Sequence, residues 1–129
     1  MGDINGAWLG TYWQSELPTR FDASFVQGGN ALSGSILDDS DLGEAQVSGE
    51  VIGRSIRFTK RYLMGGHAAI DYTGTLSEDG NHMQGQWRIK RYGTGSWEAH
   101  RNDNDLMQAL ARRQAQSQPV EALIGSKSR

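Results

Sequence analysis

Gly80-Asn81-His82-Met83-Gln84-Gly85-Gln86-Trp87 repeats a pattern already present at Gly29-Asn30-Ala31-Leu32-Ser33-Gly34-Ser35-Ile36. In both stretches a Gly-Asn pair precedes a segment in which an apolar residue, a glycine and a second apolar residue fall on alternate positions, with polar residues between them. Alternation with period two puts the apolar set on one face of a β-strand. Gly and Asn tolerate the positive φ that a tight hairpin needs. Gly43 to Val51 echoes the pattern without the Asn. Each copy therefore reads as a turn followed by a half-buried strand.

The same alternation runs outward in both directions. Trp8, Gly10 and Tyr12 carry it in a first segment, and Phe21, Ala23 and Phe25 in a second. Leu32, Gly34 and Ile36 form the third, and Ala45, Val47, Gly49 and Val51 the fourth. Ile56, Phe58, Lys60 and Tyr62 form the fifth, and Ile70, Tyr72, Gly74 and Leu76 the sixth. Met83, Gly85, Trp87 and Ile89 make the seventh, and Gly95, Trp97 and Ala99 the eighth. The connectors are too short to hold a crossover helix, so sequential strands must be antiparallel. Glu16, Arg20 and Asp22, around Pro18, read as charges of a loop.

Glycine is abundant, at 17 of 129 residues, and several glycines fall in phase with the apolar face. A mid-strand glycine weakens a flat strand, so it marks sharp coiling or close approach of another group. Eight strands coiled in this way predict an all-β, eight-stranded, antiparallel up-and-down barrel. A two-sheet sandwich is the alternative, and it would need fewer inward glycines. All aromatic residues lie between Trp8 and Trp97. The barrel domain is thus expected over residues 1–101. Residues 102–129 form a tail with a short C-terminal α-helix, from about Asp105 to Gln116, ended before Pro119.

The formal net charge of −2 argues against a nucleic-acid partner. The chain has no cysteine, which removes disulfides, thiolate metal sites and a cysteine nucleophile. No apolar run reaches the roughly 18–20 residues of a membrane helix, and no membrane partner is expected. Met1 to Asn5 lacks a basic and apolar leader, so the expected setting is a soluble, cytoplasmic protein. His67, His82 and His100 match no zinc spacing, and no metal or cofactor is expected.

Gly6-Ala7-Trp8-Leu9-Gly10-Thr11-Tyr12 resembles the Gly-x-Trp opening of calycin-type barrels, a group that includes avidin-like, lipocalin-like and nitrobindin-like proteins. The resemblance implies that Trp8 plugs one end of the barrel. It does not extend to a ligand site. Leu9, Thr11 and Tyr12 stand where an avidin-like chain has its biotin-binding Asn and Ser, and the lipocalin-like Thr-Asp-Tyr element is absent. The nitrobindin-like version would imply a haem-ligating histidine near the chain end, for which His100 is the matching position.

Lys60 breaks the apolar rule, since its phase aims an ammonium inward. A buried ammonium needs a partner, and Asp38, in phase with Ile36 at the end of its strand, is positioned to supply one. Apolar walls with a few convergent polar groups are the usual make-up of small-molecule pockets. The candidate ligand-binding set is Tyr12, Asp38, Lys60, Tyr62, Tyr72, Trp87 and Trp97. The expected function is non-catalytic binding of a small, largely apolar ligand carrying an anionic or hydrogen-bonding group that Lys60 meets. A cavity-based isomerase or cyclase is one alternative. A filled barrel that acts as an interaction domain, through a partner or as a homo-oligomer, is the other.

Overall fold

The computed structural model describes residues 3–102. Eight strands follow in order: β1 (Gly6–Gln14), β2 (Leu17–Gly28), β3 (Ala31–Asp38), β4 (Glu44–Ile52), β5 (Ser55–Tyr62), β6 (Ile70–Leu76), β7 (His82–Ile89) and β8 (Gly93–Arg101). Each pairs antiparallel with the next, and β8 pairs back onto β1 to close a barrel. The closing seam sets Tyr12 opposite Trp97 and Gly10 opposite Ala99. Closure leaves no unpaired edge. The expected helix from Asp105 to Gln116 lies outside the described residues.

The period-two pattern fixes which side chains face the lumen. Phe21, Ala23 and Phe25 of β2 are buried, as are Ile56, Phe58 and Lys60 of β5, and Asp38 closes β3 on the same face. The middle of the barrel is filled by its own rings. Phe58 stacks on Tyr72 at 4.8 Å, meets Phe25 at 5.7 Å and receives Trp97 edge-on at 5.9 Å.

Inward glycines make this narrow lumen feasible. A Cβ on Gly85 would overlap the Thr73 carbonyl oxygen of β6 and stand 2.5 Å from Gly74 Cα. A Cβ on Gly34 would run into the Ser24 carbonyl of β2, and one on Gly49 into the Arg57 carbonyl of β5. Neighbouring backbone thus occupies the space a side chain would take, because the strands are coiled tightly enough to bring it there. That coiling closes the sheet where a flatter one would split into two layers.

The first connection departs from the sequence reading. Ser15 and Glu16 form a two-residue turn with φ of 50° and 70°, so β2 begins at Leu17 and contains Pro18. Arg20 and Asp22 are exposed strand residues of β2, not loop charges. The turn adopts the doubly positive φ usually marked by Asn-Gly or Asp-Gly, yet carries neither. Pro18 sits next to the turn, opposite Trp13, at a strand end where proline is tolerated.

Alternate connections lie at opposite ends. One end is shut by Trp8, which is fully buried and donates its indole N–H to the Ile4 carbonyl at 2.9 Å. The Arg101 guanidinium lies over the Trp8 ring, 4.6 Å from its centroid. Arg101 also donates to the carbonyls of Asp3 and Asn5, each at 2.7 Å, and to that of Gly80 at 2.9 Å. The residues leading into β1 are thereby tied to the end of β8. Residues 15–16, 39–43, 63–69 and 90–92 make the connections at the other end, which is open.

Replacing Gly85 by Ala should destabilise the fold by about 2–3 kcal/mol, because a backbone carbonyl cannot move aside as a side-chain tip can. Gly28→Ala is the control, since nothing lies within 4 Å of the added Cβ, and should change stability by less than about 0.5 kcal/mol. Urea unfolding of both variants measures the contrast.

Candidate functional site

Three strands deliver polar atoms beneath the open end. Lys60 of β5 donates to Asp38 Oδ1 of β3 at 2.8 Å, and both side chains are fully enclosed. The Tyr12 hydroxyl of β1 donates to Asp38 Oδ2 at 2.9 Å. The Tyr62 hydroxyl of β5 donates to the same oxygen in a very short contact. Asp38 therefore accepts from three donors. A carboxylate this deep requires several donors, because each missing bond would leave a further desolvated lone pair.

The ammonium is enclosed by ring faces. Lys60 Nζ sits 4.8 Å from the Tyr12 ring centroid, 4.9 Å from that of Tyr62 and 5.7 Å from that of Tyr72. The negative faces of these rings replace part of the lost hydration. Burial still lowers the Lys60 pKa, against the opposing pull of Asp38. Burial raises the phenols of Tyr12, Tyr62 and Tyr72, and the nearby Asp38 charge adds to the rise in each.

Above this network the open end forms a recess of about 500 Å³. Its walls include Tyr12, Tyr62, Ile70, Tyr72, Trp87 and Ile89, and its rim includes Leu42, His67 and Tyr92. His67 meets the Tyr62 ring edge-on at 5.5 Å. The Trp87 indole N–H is held by the Trp13 carbonyl at 3.0 Å, which fixes that wall.

The sequence-derived residues thus fall into three groups. Tyr12, Tyr62, Tyr72 and Trp87 line the recess. Asp38 and Lys60 are paired beneath it and enclosed. Trp97 belongs to the ring-filled centre, donating to the Thr73 carbonyl at 3.0 Å and packing on Phe58 and Tyr72. The rim residues His67 and Tyr92 carried no strand phase and fall outside the ligand-binding set read from the sequence. Nor was Arg101, although a basic residue at the end of the last strand was a usable signal. His100, the position matching a nitrobindin-like haem ligand, is exposed on the outer face of β8. Among the described residues no group of three or more His, Asp or Glu side chains is placed to hold a metal ion. No helix among them is long and apolar enough to cross a membrane.

No protein-family model matches the chain, and no curated protein matches it. The closed up-and-down barrel with Trp8 at its shut end agrees with the calycin-like resemblance of the Gly-x-Trp opening.

The phenols give this site an alkaline signature. Tyr12, Tyr62 and Tyr72 keep their protons in the fold above the ordinary tyrosine pKa of 10.0, whereas the unfolded chain releases them. The folded state then binds more protons than the unfolded one, so stability falls as pH rises past about 10. Lys60 acts in the opposite direction, because its pKa is lowered on folding, but its contribution levels off once the unfolded lysine has also lost its proton, near pH 10.4. Beyond that point each phenol still protonated in the fold should add up to about 1.4 kcal/mol per pH unit to the fall. Near-ultraviolet phenolate absorbance should show these three ionising together with loss of the fold. Ionisation of all tyrosines well before unfolding would contradict the burial of the site.

Proposed function

We propose that the barrel binds a small, largely apolar molecule in its open mouth and performs no chemistry on it. The observation that carries this reading is the recess of about 500 Å³ walled by aromatic and branched aliphatic side chains over a polar floor. Its size and make-up suit small-molecule binding. Lys60 serves such a site through Asp38, by holding the carboxylate that fixes the hydroxyls of Tyr12 and Tyr62.

Non-catalytic binding is favoured over an isomerase or cyclase by the same contacts. Isomerisation or cyclisation by proton abstraction needs a base within hydrogen-bond reach of the substrate. Asp38 and Lys60 are enclosed and occupied with each other, and the Tyr62 proton is directed at Asp38.

A second reading, self-association through the rim, has its own observation. Leu63, Met64 and Tyr92 are 50%, 77% and 81% exposed around the open end, and clustered exposed apolar side chains mark interaction surfaces.

Native mass spectrometry of the purified full chain separates the two. Ligand binding gives a monomer near 14.2 kDa with added mass that is lost on denaturation, or that appears on incubation with an apolar probe and is lost in Trp87→Ala. A dimer with no added mass under any of these conditions would favour the rim interface and contradict the pocket.

A further inference from the structure

Among the described residues, the Tyr72 hydroxyl is the one buried aromatic donor without a hydrogen-bond partner. The contrast with its neighbours is complete. The indole N–H groups of Trp8, Trp87 and Trp97 each reach a backbone carbonyl. The hydroxyls of Tyr12 and Tyr62 reach Asp38. Tyr72 is 1% exposed, and its hydroxyl makes no hydrogen bond to any described residue. A buried hydroxyl left unpaired is costly, and each such group calls for an explanation.

The ring cannot turn to find a partner elsewhere. Phe58 stacks flat against it at 4.8 Å with an interplanar angle of 12°, and Trp97 packs edge-on at 5.5 Å. Tyr72 lines the recess together with Tyr12 and Tyr62. Lys60 Nζ lies 5.7 Å from the Tyr72 ring centroid, so the ring borders both the recess and its polar floor.

The surroundings restrict what could pair with it. The charges of Asp38 and Lys60 cancel, so the floor offers no free cation for a carboxylate. Asp38 already accepts from three donors, so a ligand's own donor would compete with them. The rest of the Lys60 ammonium is covered by the ring faces of Tyr12, Tyr62 and Tyr72, and the Tyr72 hydroxyl is the donor left for an acceptor that carries no charge. The walls are flat rings and branched aliphatic groups.

We propose that the ligand of the mouth is a flat, neutral, conjugated carbonyl compound whose oxygen accepts the hydrogen bond of the Tyr72 hydroxyl. This rests on the binding reading above and names the ligand class for the same recess. Lys60 does not meet the ligand. The polar group that sequence phase assigned to Lys60 belongs to Tyr72, one strand away.

The test uses the full chain and three matched probes of one ring system: acetylnaphthalene, ethylnaphthalene and naphthoate, each titrated by calorimetry. The ketone should bind at least about tenfold more tightly than the hydrocarbon, since the orphan donor gains a partner, and the carboxylate should bind most weakly. In Tyr72→Phe the ketone-to-hydrocarbon ratio should fall to within about twofold. Equal wild-type affinities for ketone and hydrocarbon, or a ratio that survives in Tyr72→Phe, would overturn the inference while leaving the pocket standing. A preference for naphthoate would overturn it in favour of an anion site. If no probe binds, the pocket reading falls and takes the inference with it. The wild-type comparison decides the matter if the variant fails to fold.

Discussion

The open half of this barrel depends on one enclosed charge pair. An ammonium and a carboxylate withdrawn from water are each unfavourable unless they find one another and fill their remaining contacts. Lys60 and Asp38 meet at 2.8 Å, and every further contact around them follows from that need. Two phenols complete the carboxylate, and three ring faces surround the ammonium. The result ties β1, β3 and β5 together across the lumen, where backbone pairing reaches only adjacent strands.

Such a tie works only in a narrow tube. The coiling that brings Ser24, Arg57 and Thr73 carbonyls against Gly34, Gly49 and Gly85 draws opposite walls close enough for a lysine and an aspartate to touch. The same narrowness lets Phe25, Phe58, Tyr72 and Trp97 fill the centre. The recess then lies above the pair, at the open end. At the opposite end Trp8 and Arg101 shut the tube and anchor the chain leading into β1. The two ends differ in kind: one is closed by an indole and its guanidinium cover, and the other is an aromatic cup over a neutralised polar floor.

Much of this was legible in the sequence because period-two patterning is a direct record of which side chains share a face. Strand number, order, direction and the inward set could all be read from it, and so could the convergence of Asp38 with Lys60, two polar residues on apolar phases. What the sequence concealed has specific physical causes. The Ser15-Glu16 turn adopts positive φ without glycine, so nothing local announced it and the start of β2 was read as loop. The pairing of Tyr12 and Tyr62 with Asp38 depends on stagger around the barrel, which no single strand encodes. Parity put Trp97 on the inner face but could not give its depth, and depth separates a centre-filling ring from a mouth-lining one. Parity also could not show that Lys60 would be covered on all sides.

A double-mutant cycle on Asp38 and Lys60, followed by chemical unfolding, tests the central claim most directly. Lys60→Met leaves a buried carboxylate without its counter-charge, and Asp38→Asn leaves a buried ammonium in the same position. Each single change should cost about 3–5 kcal/mol, and the double variant should cost less than either, because it removes both charges together. Single changes of under about 0.5 kcal/mol that simply add, as for a pair exposed to solvent, would contradict the account.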